Sequence, residues 1–416
     1  MPKGKFFYLF IGGIIIFLLG LLLGVILLQQ PVKRPQIPEP PAAPQSPAVA
    51  QEEAPPAAVP LAPPGDIEPP VSMLMPAPAA KEETPAAPAP AIKAEFQKGM
   101  NFVAWTSAGY SNSSSISAME QMANLGINWA GLVSTWYQDK YNSTSIYSVK
   151  DKSPTDESLV FAIRKLHELK FKVMLKPHVD IIDAAGKWRG DIGFDKAEDW
   201  QAWFDSYTAF VLHYAAIAAR ENVELFCIGT ELSRASVNQG KRWRELIKKI
   251  KEVYKGPLTY AANWSAEYDE IAFWDALDYA GIDAYFPLVC SAQPKVEELK
   301  SAWSDWLRDI EAWQKRINKP VLITEIGYKS LRDATDEPWQ HVGVGELDLG
   351  LQVNCYQALL ESFWDKPWFY GVYWWYWGVN PRMGGELNRG FTPQNKPAQD
   401  VVKEWYNNKP VPEKIY

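Results

Sequence analysis

The chain has 416 residues, 47% of them hydrophobic and 19 of them tryptophan, which is ample apolar material for one large core. A formal net charge of -7 without any Lys/Arg-dense run excludes nucleic acid as the expected partner and makes anionic polymers poor candidate substrates. Three cysteines, Cys227, Cys290 and Cys355, stand far apart without metal-type spacing, so small buried thiols are expected rather than a disulfide framework or a zinc site.

In chain order, the run from Phe6 to Leu28 carries no charge. At about 1.5 Å of rise per residue it matches a hydrocarbon core of roughly 30 Å. A cleaved signal peptide is the competing reading, but the run exceeds an apolar region of about 7 to 15 residues and no A-x-A-like site follows it. Residues 1–30 are therefore read as an uncleaved membrane anchor. Lys3 and Lys5 before it and Lys33 and Arg34 after it leave its orientation nearly tied. Residues 31–95 turn to Pro and Ala with scattered Glu and no aromatic residue, a composition that cannot bury enough surface to offset the entropy of ordering. This disordered Pro/Ala-rich linker, at about 3.1 Å per residue, reaches on the order of 200 Å when stretched. Such reach suits a polymeric substrate outside the cytoplasm, so the domain at 96–416 is expected at the cell surface or in the periplasm.

Within 96–416, short apolar runs alternate with longer amphipathic ones. The strand candidates are GMNFVAW (99–105), INWAGLVSTW (127–136), FKVMLKPH (171–178), ELFCIGTE (224–231), PLTYAANW (257–264), LDYAGIDAYF (277–286), PVLITEIG (320–327) and FYGVYWWYW (369–377). Between them lie helical patterns such as SLVFAIRKLHEL, EDWQAWFDSYTAFVLHYAAIAAR, KRWRELIKKIKEVY and VEELKSAWSDWLRDIEAWQKRI, and a last helix is expected near 397–406. Strand and helix alternation at this length predicts an α/β fold, a (β/α)8 TIM barrel. A doubly wound open sheet is the alternative, but no G-x-G-x-x-G follows the first strand.

In such barrels chemistry is mounted at the carboxyl ends of the strands. Glu231 closes the fourth run and Glu325 the seventh. Counting back by twos predicts that Gly229, Cys227 and Leu225, and Ile323 and Val321, share their inward faces. Two carboxylates across a sugar-sized gap are what glycoside hydrolysis requires, one as nucleophile and one as acid then base. Their repulsion also separates their proton affinities. Other strand ends carry Asn101, Trp105, Lys176, His178, Asn263, Trp264, Asp283 and Tyr285, of which Lys176 and His178 are read as donors to sugar hydroxyls. Along YWWYW, alternation sets Tyr373, Trp375 and Trp377 against Trp374 and Tyr376, and one of these faces would floor a sugar site, extended by Trp105, Trp188 and Trp264. Arg189, in WRGD after the third strand, is a ligand contact or only a surface charge. His178, Asp180 and Asp183 fit no strong metal motif, and no metal or cofactor is expected.

At these residues the chain resembles clan A glycoside hydrolases, and among them glycoside hydrolase family 113. The resemblance runs through GMNFVAW, LKPHV, CIGTEL, the Tyr of DAYFP, ITEIGY and YWWYWG, with 325 - 231 = 94 positions between the acids. It implies a retaining double displacement, mainly an endo-β-1,4-mannanase activity, with Glu231 as acid/base and Glu325 as nucleophile. It also implies that Tyr285 hydrogen-bonds the nucleophile and that Trp375 lies under the sugar at the cleavage point. One departure from the wider clan is Thr230, where an Asn commonly precedes the acid/base. The remaining alternatives are a β-glycosidase of other specificity, on glucan or as an exo-mannosidase, and a carbohydrate-binding barrel without catalysis. The expected partners are a polysaccharide or oligosaccharide and, through the N-terminal helix, a membrane.

Overall fold

The structure of the protein, a computed structural model, describes residues 95–415 except 289, 342 and 344. The expected anchor and all but the last residue of the expected linker lie outside the described residues. Among the described residues no helix is long and apolar enough to cross a membrane.

Eight parallel strands close on themselves in sequence order. They are β1 (Gln97–Val103), β2 (Trp129–Gln138), β3 (Lys172–Ile181), β4 (Leu225–Thr230), β5 (Leu258–Asn263), β6 (Ala280–Asp283), β7 (Val321–Ile326) and β8 (Phe369–Gly378). Strands covered on both faces read as continuous apolar runs, as these do. The sixth is shorter than expected because the chain turns just after it, Phe286 N donating to Ala284 O at 2.8 Å, which leaves Tyr285 beyond the strand.

The principal outer helices are α1 (Ser113–Ala123), α2 (Asp156–Glu168), α3 (Ala197–Arg220), α4 (Ser233–Asn238), α5 (Gly240–Val253), α6 (Glu267–Glu270), α7 (Val296–Ile317), α8 (Leu349–Phe363) and α9 (Pro397–Asn408). Local chemistry starts several of them: the side chains of Asn112, Thr155 and Asp348 accept the backbone N–H of Ser115, Ser158 and Leu351. In α5 the charged KRWRELIKKIKE run buries only Trp243, Leu246, Ile247 and Ile250, one stripe at helical spacing.

Two apolar layers result. Trp129, Met174, Leu225, Cys227, Ala261, Tyr279, Leu322, Tyr370 and Tyr373 form a cluster of their own that fills the barrel interior. The larger cluster lies between strands and helices. Gly131 makes room inside the barrel, since a Cβ there would stand 2.4 Å from Asn101 Oδ1. Cys227 and Cys355 are buried as expected, whereas Cys290 is only half-buried.

The pairing is irregular toward the carboxyl ends: register shifts fall between Cys227 and Thr230, between Ile282 and Asp283, between Ile323 and Ile326, and between Met100 and Phe102. These shifts overturn the count by twos. Leu225 and Cys227 do point inward, but a Cβ on Gly229 would meet Tyr260, Tyr207 and Trp243 in the outer layer. On β7 it is Leu322 that enters the interior cluster, while Val321 and Ile323 face the helices. An extra residue at a bulge moves every later side chain to the other face.

Candidate active site

Glu325 is 7% exposed and both of its oxygens are engaged. Lys176 Nζ donates to Oε2 at 2.8 Å and Tyr285 OH to Oε1 at 2.8 Å. The same ammonium lies 3.3 Å from both oxygens of Asp283, and Asp283 Oδ1 also accepts from Thr324 Oγ1 at 2.8 Å. Lys176 is fully buried. Burial pulls its proton affinity down, but the Asp283 and Glu325 carboxylates outweigh burial and hold it raised, so the ammonium persists. Burial, followed by the charge of Glu325, pushes the Tyr285 hydroxyl well above its ordinary range and keeps it a donor. Asp283 is pushed well up by burial, against the pull of Lys176.

Glu231 follows β4 directly, in the left-handed backbone region at φ 51. For a residue with a side chain this conformation is strained and persists only where the surroundings over-determine it. Asn263 Nδ2 donates to Oε1 at 2.8 Å, and Arg189 Nη1 lies 3.7 Å from Oε2. Burial pushes the Glu231 carboxyl up to about 7, with the charge of Glu325 adding to it, while Arg189 pulls it back. The two acids therefore interact electrostatically at one barrel mouth.

Arg189 sits on a single 3-10 turn after β3 and reaches three groups, Glu231, Asp180 Oδ2 at 3.3 Å and His178 Nδ1 at 3.3 Å. A guanidinium only donates, so His178 Nδ1 accepts and its proton is on Nε2. Burial and the charges of Lys176 and Arg189 keep this ring neutral by pushing its proton affinity well down. Its Nε2 and the Thr230 hydroxyl are buried without a hydrogen-bond partner among the described residues.

The structure thus gathers Glu231, Glu325, Tyr285, Asn263, Lys176, His178 and Arg189 at one mouth, with changes of placement for some. Lys176 aims at the carboxylates of Glu325 and Asp283 and not into an open cleft. Trp105 is 46% exposed and meets Tyr376 edge-on at 5.1 Å, and Trp375 lies 5.3 Å from Tyr376. Trp377 is displaced from the expected sugar face: it is 1% exposed and pairs with Phe102, whose ring packs on Tyr110 in the outer layer. The shift between Met100 and Phe102 puts an additional residue on β8, so Tyr376 turns to the side of Trp105 in place of Trp377. Trp264 is also covered, by Trp339 stacked 4.9 Å away.

Sequence reasoning gave no role to Asp283 beyond its strand-end position, passed over Thr324, and set Tyr376 on the face opposite Trp375 and Trp377. The polar strand end was the available signal for Asp283; none marks Tyr376, because a bulge leaves no local signature.

Residues 100–396 match the model of Glycoside Hydrolase Family 113. Among solved structures, the chain is similar to the Family 113 β-mannanase AaManA from Alicyclobacillus acidocaldarius, at 28% identity over 76% of this chain and 98% of that chain, with a TM-score of 0.68. It is equally similar to a Family 113 β-1,4-mannanase, at 28% identity over 76% and 100% of the two chains, with a TM-score of 0.69. A β-glucuronidase from Ruminococcus gnavus, at 13% identity over 75% of this chain and 50% of that one with a TM-score of 0.52, shares the fold alone. No curated protein matches the chain.

Proposed function

The chain belongs to Glycoside Hydrolase Family 113, acting on O-glycosyl bonds, and from that premise we propose that it is a retaining endo-β-1,4-mannanase using Glu325 as nucleophile and Glu231 as acid/base. The observation that carries this reading is the unequal treatment of two interacting glutamates. Lys176 and Tyr285 donate to the two oxygens of Glu325 and hold the carboxylate in place, as a nucleophile needs. Glu231, raised to about 7, holds a proton near neutrality for the departing oxygen.

In the first step Glu325 forms a bond to the anomeric carbon as the glycosidic bond breaks, and Glu231 gives its proton to the leaving oxygen. Glycosylation removes the negative charge of Glu325, and with it one cause of the high proton affinity of Glu231. Arg189 still favours the Glu231 anion, so Glu231 becomes the base that deprotonates water attacking the glycosyl-enzyme. Water then supplies the oxygen at the anomeric carbon, and Glu325 leaves as carboxylate. Trp105, Tyr376 and Trp375 offer aromatic surface for pyranose faces. Mannan as substrate is supported by the mannanases among the similar structures. The uncharged run at 6–28 and the Pro/Ala-rich 31–95 support a membrane tether that holds the enzyme outside the cytoplasm.

The test is a panel of mannan, glucomannan, xylan, glucan and chitosan with product anomers followed by NMR. Rapid release of β-anomers from mannan is expected. Net inversion removes Glu325 as nucleophile, and cleavage of another glycan with mannan untouched removes the substrate assignment.

A further inference from the structure

Behind Glu231 lies a second buried carboxylate that the two-step scheme does not use. Glu267, the first residue of α6, is 3% exposed, and its bonded partners are all neutral. Its Oε1 accepts from Ser236 Oγ at 2.5 Å and Tyr260 OH at 2.6 Å. Its Oε2 accepts from the Asn263 backbone N–H at 2.7 Å and Ser233 Oγ at 3.0 Å. Burying a carboxylate without a cation is costly, and several short donors are what make it tolerable. Burial pushes this carboxyl up to about 7, against the four donors that pull it down.

All four donors belong to the two segments that hold Glu231. Ser233 and Ser236 lie on α4, just after it in the chain. Asn263 is the residue whose side-chain amide bonds Glu231. Tyr260 joins the two: its hydroxyl donates to Glu267 and accepts the N–H of Leu232, the neighbour of Glu231. Around the strained backbone at Glu231, both the next peptide and the amide partner are thus tied to one carboxylate.

We propose that Glu267 is a positioning residue for proton transfer, fixing the β4–α4 turn and the end of β5 so that Glu231 stays aimed at the glycosidic oxygen. The proposal rests on the reading of Glu231 as acid/base. Oligosaccharides with a poor leaving group need a well-placed proton donor, whereas a dinitrophenyl glycoside leaves without one. Loss of folded enzyme lowers turnover of both alike, so leaving-group dependence separates positioning from stability.

The experiment uses the full chain, the best oligosaccharide found in the glycan panel and the dinitrophenyl glycoside of the same sugar. For Glu267→Gln, whose amide opposes two of the four donors, kcat/KM on the oligosaccharide should fall about 10- to 100-fold with KM little changed, part of the roughly 100- to 10,000-fold that acid–base catalysis supplies. On the dinitrophenyl glycoside the cleavage step should be nearly unaffected. An equal loss on both substrates, or none on either, overturns the proposal. If Glu267→Gln does not fold by circular dichroism, Tyr260→Phe is judged by the same two outcomes, since it removes only the hydroxyl between Glu267 and Leu232. Glu231→Ala, measured alongside, should lose the oligosaccharide and regain turnover of the activated glycoside with azide, yielding the β-glycosyl azide. Any other pattern there overturns the reading of Glu231 itself, distinguishably from a failure at Glu267.

Discussion

Glu231 and Glu325 are the same residue type at the same end of one barrel, Glu325 buried and Glu231 only partly exposed, and their surroundings treat them in opposite ways. Glu325 rests on an ammonium and a phenol, while Glu231 has an amide and a guanidinium at longer range, with neutral hydroxyls beyond. The difference teaches that burial alone does not assign a role to a carboxylate; the donors behind it do.

The most severe way to break this comparison is to remove one side. Glu325→Ala should lower kcat by about four orders of magnitude or more, read as initial rates of reducing-end release. Residual turnover within a few tenfold of the parent would contradict the role given to Glu325.

Removing the cation beneath Glu325 comes next. Lys176→Met leaves Asp283 and Glu325 facing each other without a counter-charge, and breaking such a buried pair destabilises by about 3–5 kcal/mol. Urea denaturation measures this, and adding Asp283→Asn should restore part of the loss. No restoration would mean that Lys176 serves Glu325 alone.

A milder change sharpens the Glu231 side. In the proposed role the proton on Glu231 is needed for leaving-group departure, so kcat/KM should decline as pH rises through about 7. Arg189 pulls this proton affinity down, and Arg189→Gln should therefore move that decline to higher pH. A decline that stays in place or moves lower contradicts the coupling. Stability follows the same sign. The folded state holds the Glu231 proton above the ordinary 4.5, so this contribution is fully present below 4.5 and lost as pH rises through about 7. Thermal melts from pH 4.5 to pH 8 read it.

The smallest expected effect lies at the rim. Trp105→Ala removes an exposed ring and should raise KM by up to about tenfold, corresponding to roughly 0.5–1.5 kcal/mol for one aromatic contact, with kcat nearly unchanged.

Much of the architecture was legible before any coordinates. Apolar runs separated by amphipathic helices specified eight strands and their order, because covered parallel strands and one-sided helices bury different patterns. The two acids were legible too, as carboxylates that end apolar runs. Direction within a strand was not. The inward count failed at Gly229, Val321 and Ile323, and Trp377 exchanged places with Tyr376, because single-residue register shifts reverse the faces that follow them. Lys176 was misread for another reason: its partners Asp283 and Glu325 are more than a hundred positions away, and no local pattern encodes such a meeting.

By itself, then, the amino-acid order determined the class of fold and the placing of two glutamates at the carboxyl ends of its strands, since these follow from periodicity and from charge placed where apolar runs stop. Tertiary structure alone decided which carboxylate rests on Lys176, which one rests on Asn263 and Arg189, and that Glu267 stands behind the second. Proton affinity depends on desolvation and on charges a few ångströms away, and both are created only when distant segments pack.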